Sequence, residues 1–261
     1  MKRAMRVWAP VLAGALLTAA FAGCGNQKDV GDCVKQGTAA ADKGDWESAL
    51  KFADKGVENS PDSIDALLLK ALSAQRCGKL EDAYQAAAQA VALAPKNFSA
   101  QYMLGSVCME IPGRQVEALN AFKTALELRK GDRETLIAIC NLMTDSGDPE
   151  LLTYLNELQK RDPEFAKRSA TFHNQKGIAL LRRRNTKMAL KNFDEALKLD
   201  GKLTDPAIVY NAAYAYDHRC RSSKSREDRQ KAIRLYKRYL QLTKDDKAAV
   251  EKRIKALGGR L

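Results

Sequence analysis

Three different residue types return at one interval along this chain. Gly44 and Gly78, Ala49 and Ala83, and Pro61 and Pro95 each stand 34 positions apart. Self-similarity at a period of 20–50 residues marks an array of small structural units rather than one layered domain. The pattern continues further on, where Gly105 returns as Gly177, and Ala118, Phe122 and Ala125 return as Ala189, Phe193 and Ala196 after two units. The residue types say what the unit is. Small Gly105 or Gly177 in a first helix and Ala118 or Ala189 in a second let two helices approach closely. Phe122 and Ala125, three apart, share one helical face and are expected to pack on the next unit. Gly44-Asp45 and Gly78-Lys79 fall where the chain must turn, and Pro61 and Pro95 stop the second helix.

Leu104-Gly105, Ala118, Phe122 and Ala125 together resemble the signature positions of the tetratricopeptide repeat family, and the resemblance covers residues 30 to 245. It implies an all-α, TPR-type α-solenoid of about six helix-turn-helix repeats with a C-terminal capping helix. The helix pairs are expected near 32–59, 63–93, 98–129, 132–160, 166–199 and 206–243, and the closing helix at 246–257 carries Ala249, Ile254 and Leu257. The fourth pair is degenerate, with Leu151, Leu155 and Leu158 where small or aromatic residues are usual. Asp148-Pro149-Glu150 and Asp162-Pro163-Glu164 read as helix starts. Ala232 follows Ala189 by 43 residues, which implies an inserted loop of about nine residues around 220–228.

Placed on the family pattern, Leu68, Leu72, Tyr102, Met109, Leu136, Cys140, Met143, Asn174, Ile178, Leu181 and Asn211 fall on the concave lining where such proteins hold a partner. The groove so implied is apolar in its middle. Met109 and Met143 are adaptable fillers, and Tyr102 is an aromatic anchor with a polar end. The lysine and asparagine set by which some members clamp a terminal carboxylate is not reproduced.

The first residues read as a processing signal. Lys2, Arg3 and Arg6 precede an uncharged, mostly apolar run from Val7 to Ala22, too short for a comfortable membrane span. Phe21-Ala22-Gly23-Cys24 resembles the bacterial lipobox, with Phe21 where leucine is usual. The resemblance implies a signal peptide over 1–23, a lipidated Cys24 with a tether over 24–30, and a repeat domain over 31–261. The alternative is an ordinary secretory signal. Gly25 stands where aspartate retains many lipoproteins in the inner membrane, so the expected site is the periplasmic side of the outer membrane, held by lipid.

Charge is unevenly spread. From Lys160 onward 27 Lys and Arg face 12 Asp and Glu, whereas residues 24–159 carry 14 against 20. In an exported chain the basic half would meet anionic lipid, wall polymer or acidic protein rather than nucleic acid. Its densest positive stretches are Arg182, Arg183, Arg184 and Lys187, then Arg219 and Arg221. Beyond Cys24 five cysteines remain, an odd number, with Cys77 and Cys108 the first candidates for a bridge. No cofactor, metal site or catalytic residue is expected: there is no CxxC, GxSxG, P-loop or HExxH, and the two histidines, His173 and His218, lie in different repeats. Exported lipoproteins built of these repeats resemble the pilotins of type IV pilus and related systems, which implies a non-enzymatic adaptor that binds and stabilises a secretin subunit. The other reading is a scaffold for periplasmic peptidoglycan or outer-membrane assembly machinery.

Overall fold

A polar residue caps the first helix of each hairpin from the second onward. Backbone N–H groups donate to Ser63 Oγ (from Ala66, 3.3 Å), Asn97 Oδ1 (from Ala100, 3.1 Å), Asp132 Oδ2 (from Thr135, 3.0 Å), Ser169 Oγ (from Phe172, 3.1 Å) and Asp205 Oδ1 (from Ala207, 2.9 Å). Each such cap stabilises its helix by about 1 kcal/mol. The computed structural model describes residues 27–260, and every regular element among them is an α-helix.

The chain divides after Leu128 into two compact units. The first holds α1 (Gln27–Asp42), α2 (Trp46–Asn59), α3 (Ile64–Arg76), α4 (Leu80–Leu93), α5 (Phe98–Glu110) and α6 (Gln115–Leu128), which form three hairpins. The second holds α7 (Arg133–Ser146) with α8 (Leu151–Arg161), the short α9 (Pro163–Arg168), α10 (Ala170–Arg182) with α11 (Thr186–Asp200), α12 (Pro206–Ser223) with α13 (Arg226–Leu242), and the closing α14 (Lys247–Ala256). Gly44 and Gly78 turn the chain at φ +78° and +76°, where a side chain would be strained.

Eight residues past each cap stands a small residue: Ala71, Gly105, Cys140, Gly177 and Ala213. At the two glycines the second helix of the same hairpin packs directly onto this position. A Cβ on Gly105 would lie 2.9 Å from the Phe122 ring, and one on Gly177 would lie 2.7 Å from that of Phe193. Both rings are fully buried. Phe122 therefore packs back onto its own first helix, against Gly105 and edge-on to Tyr102, and this corrects the expectation that it packs on the following unit. In the fourth hairpin fully buried Leu151, Leu155 and Leu158 fill the second helix.

Three further expectations change. The fifth pair does not begin at 166: α9, capped by Asp162 with Pro163 in its first turn, ends at Ser169, whose side chain caps α10. The insertion in the sixth pair is not a loop. It lengthens α12 to 18 residues and α13 to 17, because Arg221 pairs with Asp217 one turn back, Lys224 closes α12 in the left-handed region and Ser225 caps α13. Finally, α1 begins at Gln27, so residues 27–30, expected as tether, are helical, whereas Cys24 and the signal lie outside the described residues.

Candidate protein-binding surface

Within each unit, neighbouring first helices touch one another: α1 meets α3, α3 meets α5, and α10 meets both α7 and α12. The second helices make no comparable contact with each other. The first helices therefore form the inner side of each unit, and residues five, nine and twelve past the cap lie along it. These are Leu68, Leu72 and Gln75 on α3, then Tyr102, Ser106 and Met109 on α5. In the second unit they are Ile137, Asn141 and Thr144 on α7, Asn174, Ile178 and Leu181 on α10, and Tyr210, Tyr214 and Asp217 on α12.

Hydrogen bonds between adjacent first helices fix these rows side by side. Gln75 Nε2 donates to Ser106 Oγ at 3.1 Å and to Glu110 Oε1 at 2.7 Å. Gln175 Nε2 donates to Asn141 Oδ1 at 2.8 Å, and Asn211 Nδ2 to Asn174 Oδ1 at 3.1 Å. The half-buried apolar side chains Leu68, Leu72 and Met109 sit among these amides in the first unit. In the second, Tyr214 is 44% exposed and its ring lies 6.5 Å from that of His218. Such a face offers apolar contact together with amides that fix a backbone.

Part of the expected lining is core instead. Leu136, Cys140 and Met143 are fully buried. They stand four, eight and eleven residues past Asp132, the same positions as buried Leu67, Ala71 and Ala74 past Ser63. Cys140 fills the small-residue slot of its hairpin. Ile137, Asn141 and Thr144, which the sequence reading missed, are the half-buried residues that take their places on the inner side. Tyr102 is only 7% exposed and lies against Phe98 and Phe122, so it supports the face more than it projects from it.

The basic patch is mostly engaged. Arg183 Nη2 donates to the Pro149 carbonyl at 2.9 Å and Arg182 Nη2 to that of Thr144 at 3.5 Å, both around the α7–α8 turn. Arg219 makes a two-pronged contact with Asp228, and Arg221 lies 3.3 Å from Asp217. Arg184 and Lys187 are exposed.

Cys77 and Cys108 do not pair. Cys77 forms the C-cap of α3 and is half-buried, whereas Cys108 is fully buried on α5. Burial, reinforced by the nearby Glu117 carboxylate, pushes the Cys108 thiol up to about 12, and burial alone does the same to Cys140. About 10⁻⁴ of such a thiol is ionised at pH 8, and only the thiolate is nucleophilic. Iodoacetamide should therefore modify Cys77 in the folded chain and spare Cys108 and Cys140 until denaturant is added. Peptide mapping by mass spectrometry reads this directly, and early labelling of Cys108 would contradict the packing.

Among the described residues no helix is long and apolar enough to cross a membrane, and no cluster of three or more His, Cys, Asp or Glu is placed to hold a metal ion.

Residues 42–125 match the family described as "Anaphase-promoting complex, cyclosome, subunit 3". None of the curated proteins matches. Similar solved structures include that of pilF from Pseudomonas aeruginosa, at 15% identity over 88% of this chain and 98% of that one, with a TM-score of 0.64. YrrB, described as a TPR protein with an unusual peptide-binding site, is 19% identical over 77% of this chain and 97% of its own, with a TM-score of 0.60. MamA is 21% identical over 64% and 95%, with a TM-score of 0.56. At these identities the likeness is one of fold. The chain has an all-α solenoid fold of helix-turn-helix repeats, similar to that of the tetratricopeptide proteins among these structures.

Proposed function

We propose that the chain is a lipid-anchored envelope adaptor of the pilotin kind, which holds a segment of a secretin subunit along the inner side of its first unit. The observation that carries this reading is the α3–α5 face, where Leu68, Leu72 and Met109 lie beside the amide bridge from Gln75 to Ser106 and Glu110. Half-buried apolar side chains flanked by fixed polar groups suit an extended or helical segment of a partner. The lipobox-like run ending at Cys24 would place that face at a membrane surface, and the fold shared with pilF over 88% of this chain and YrrB's peptide-binding site support a peptide-holding role. No turnover is needed for such a task.

Deleting the gene should reduce secretin multimers in the outer membrane, and the solubilised protein should recover the secretin. Intact multimers in the deletion strain would refute the secretin assignment. Leu72→Glu combined with Met109→Glu should weaken partner recovery about tenfold or more, the loss of roughly 1.4 kcal/mol or more of contact energy, with helicity by circular dichroism unchanged. Undiminished recovery would move the binding site off this face.

A further inference from the structure

We propose that the second unit carries another binding site, a groove between α11 and α13 that takes an acidic peptide segment bearing a short apolar anchor. It is independent of the inner-face reading, because it lies among second helices, where the touching of first helices leaves the hairpins apart.

The groove is open, with a volume of about 430 Å³. Its floor is apolar: Leu197 is 8% and Leu235 6% exposed, and Leu203 closes one end. Four cations, Lys198, Lys231, Arg234 and Arg238, stand around it against one carboxylate, Asp194. That carboxylate is already engaged. It accepts from the Tyr216 hydroxyl at 2.6 Å and from Lys231 Nζ at 2.8 Å. Arg238 is spent on structure, donating to the carbonyls of Leu203 at 3.0 Å and Lys202 at 3.2 Å, which pins the α11–α12 connection at the groove's end.

Two cations are left to act on a ligand. Lys198, its side chain 75% exposed, reaches only half-buried Glu195 among the described residues, at 3.5 Å. Arg234 is exposed and has no hydrogen bond or ion pair among the described residues. A lysine from α11 and an arginine from α13 lining one groove with leucines suit carboxylates flanking an apolar group, because charge-assisted hydrogen bonds are directional and the leucines favour burial of what lies between. The layering also distinguishes a peptide from a bilayer. Membrane-binding faces project apolar side chains beyond their cations. Here the order is reversed, with Leu197 and Leu235 buried beneath exposed Lys198 and Arg234, which suits an inserted side chain better than a flat lipid surface.

The test uses the full chain and a fluorescein-labelled peptide in which leucine is flanked by two glutamates on each side, read by fluorescence anisotropy. Saturable binding is expected that falls steeply with added salt. It should weaken about tenfold or more, the factor set by 1.4 kcal/mol, in the Lys198→Glu, Arg234→Glu double variant, and likewise when glutamine replaces the glutamates or serine the leucine. Circular dichroism of the double variant should be unchanged, since both substituted side chains lie at the surface. Absence of binding, or binding equal in the double variant, overturns the proposal. So does capture by phosphatidylglycerol vesicles that the same two substitutions abolish, with no peptide binding, which would make the groove a lipid site.

Discussion

Phe193→Ala should destabilise the chain by about 3–5 kcal/mol, the range for deleting a fully buried aromatic ring. The same substitution should reverse the sign of another. In the unaltered chain a Cβ on Gly177 would lie 2.7 Å from the Phe193 ring, and a ring with no exposure has nowhere to swing. Gly177→Ala gains about 1 kcal/mol of helix propensity but must displace packed atoms, at a cost of about 1–3 kcal/mol, so the net effect should be destabilising. Once the ring is gone the clash is gone, and Gly177→Ala in the Phe193→Ala background should stabilise by about 1 kcal/mol. Urea midpoints of the two single variants and the double variant form the cycle. If Gly177→Ala changes stability by the same amount in both backgrounds, the glycine and the ring are not packing partners. The analogous pair Gly105 and Phe122, with 2.9 Å between ring and hypothetical Cβ, should behave alike.

That contact was half legible in the sequence. Recurrence of Gly105 with Phe122 as Gly177 with Phe193 announces a small-large pair, yet helical spacing alone does not say whether the ring turns to its own hairpin or to the next. The inner face shows a sharper failure. Projecting a strict 34-residue step from Tyr102 and Met109 leads to Leu136 and Met143. The α5–α6 turn, however, spans four residues (111–114) where the α3–α4 turn spans three (77–79), so the next first helix is displaced by one. One residue on a helix is 100° of rotation, enough to exchange lining for core. The caps carry the correct register: Ser63 to Asn97 is 34 residues, but Asn97 to Asp132 is 35. Counted from Asp132, the lining residues are Ile137, Asn141 and Thr144. The basic patch was opaque for another reason. A run of arginines is visible in sequence, but the carbonyls that engage Arg182 and Arg183 lie 38 and 34 residues earlier, at the end of α7 and in the turn after it, whose positions only the packed hairpins determine.

Asp217 shows how the repeat ends, and the second large effect follows from it. It stands twelve residues past its cap, where Gln75, Met109 and Leu181 lie along the inner side, yet its side chain is 1% exposed. Arg253 from α14 reaches over and bonds it, Arg221 approaches to 3.3 Å, and the Tyr236 hydroxyl donates at 3.4 Å. The bond to Asp217 raises the Arg253 guanidinium above its ordinary range. Removing Arg253 takes the closer and less exposed cation from a carboxylate that cannot reach water and leaves it the Tyr236 hydroxyl and Arg221, which is 56% exposed and a peripheral partner. Arg253→Met should therefore cost about 3 kcal/mol, near the lower end for breaking a buried ion pair, and Arg221→Met less than about 1 kcal/mol. Because α14 is otherwise held through Val250 and Ile254, 2% and 0% exposed, the loss should concentrate there. Amide exchange in residues 247–256 should accelerate far more than in α10 or α11. Equal costs for the two arginines, or uniform exchange across the unit, would mean that α14 is held by its apolar contacts alone. The charge pair would then seal an inner-side position without anchoring the helix that covers it.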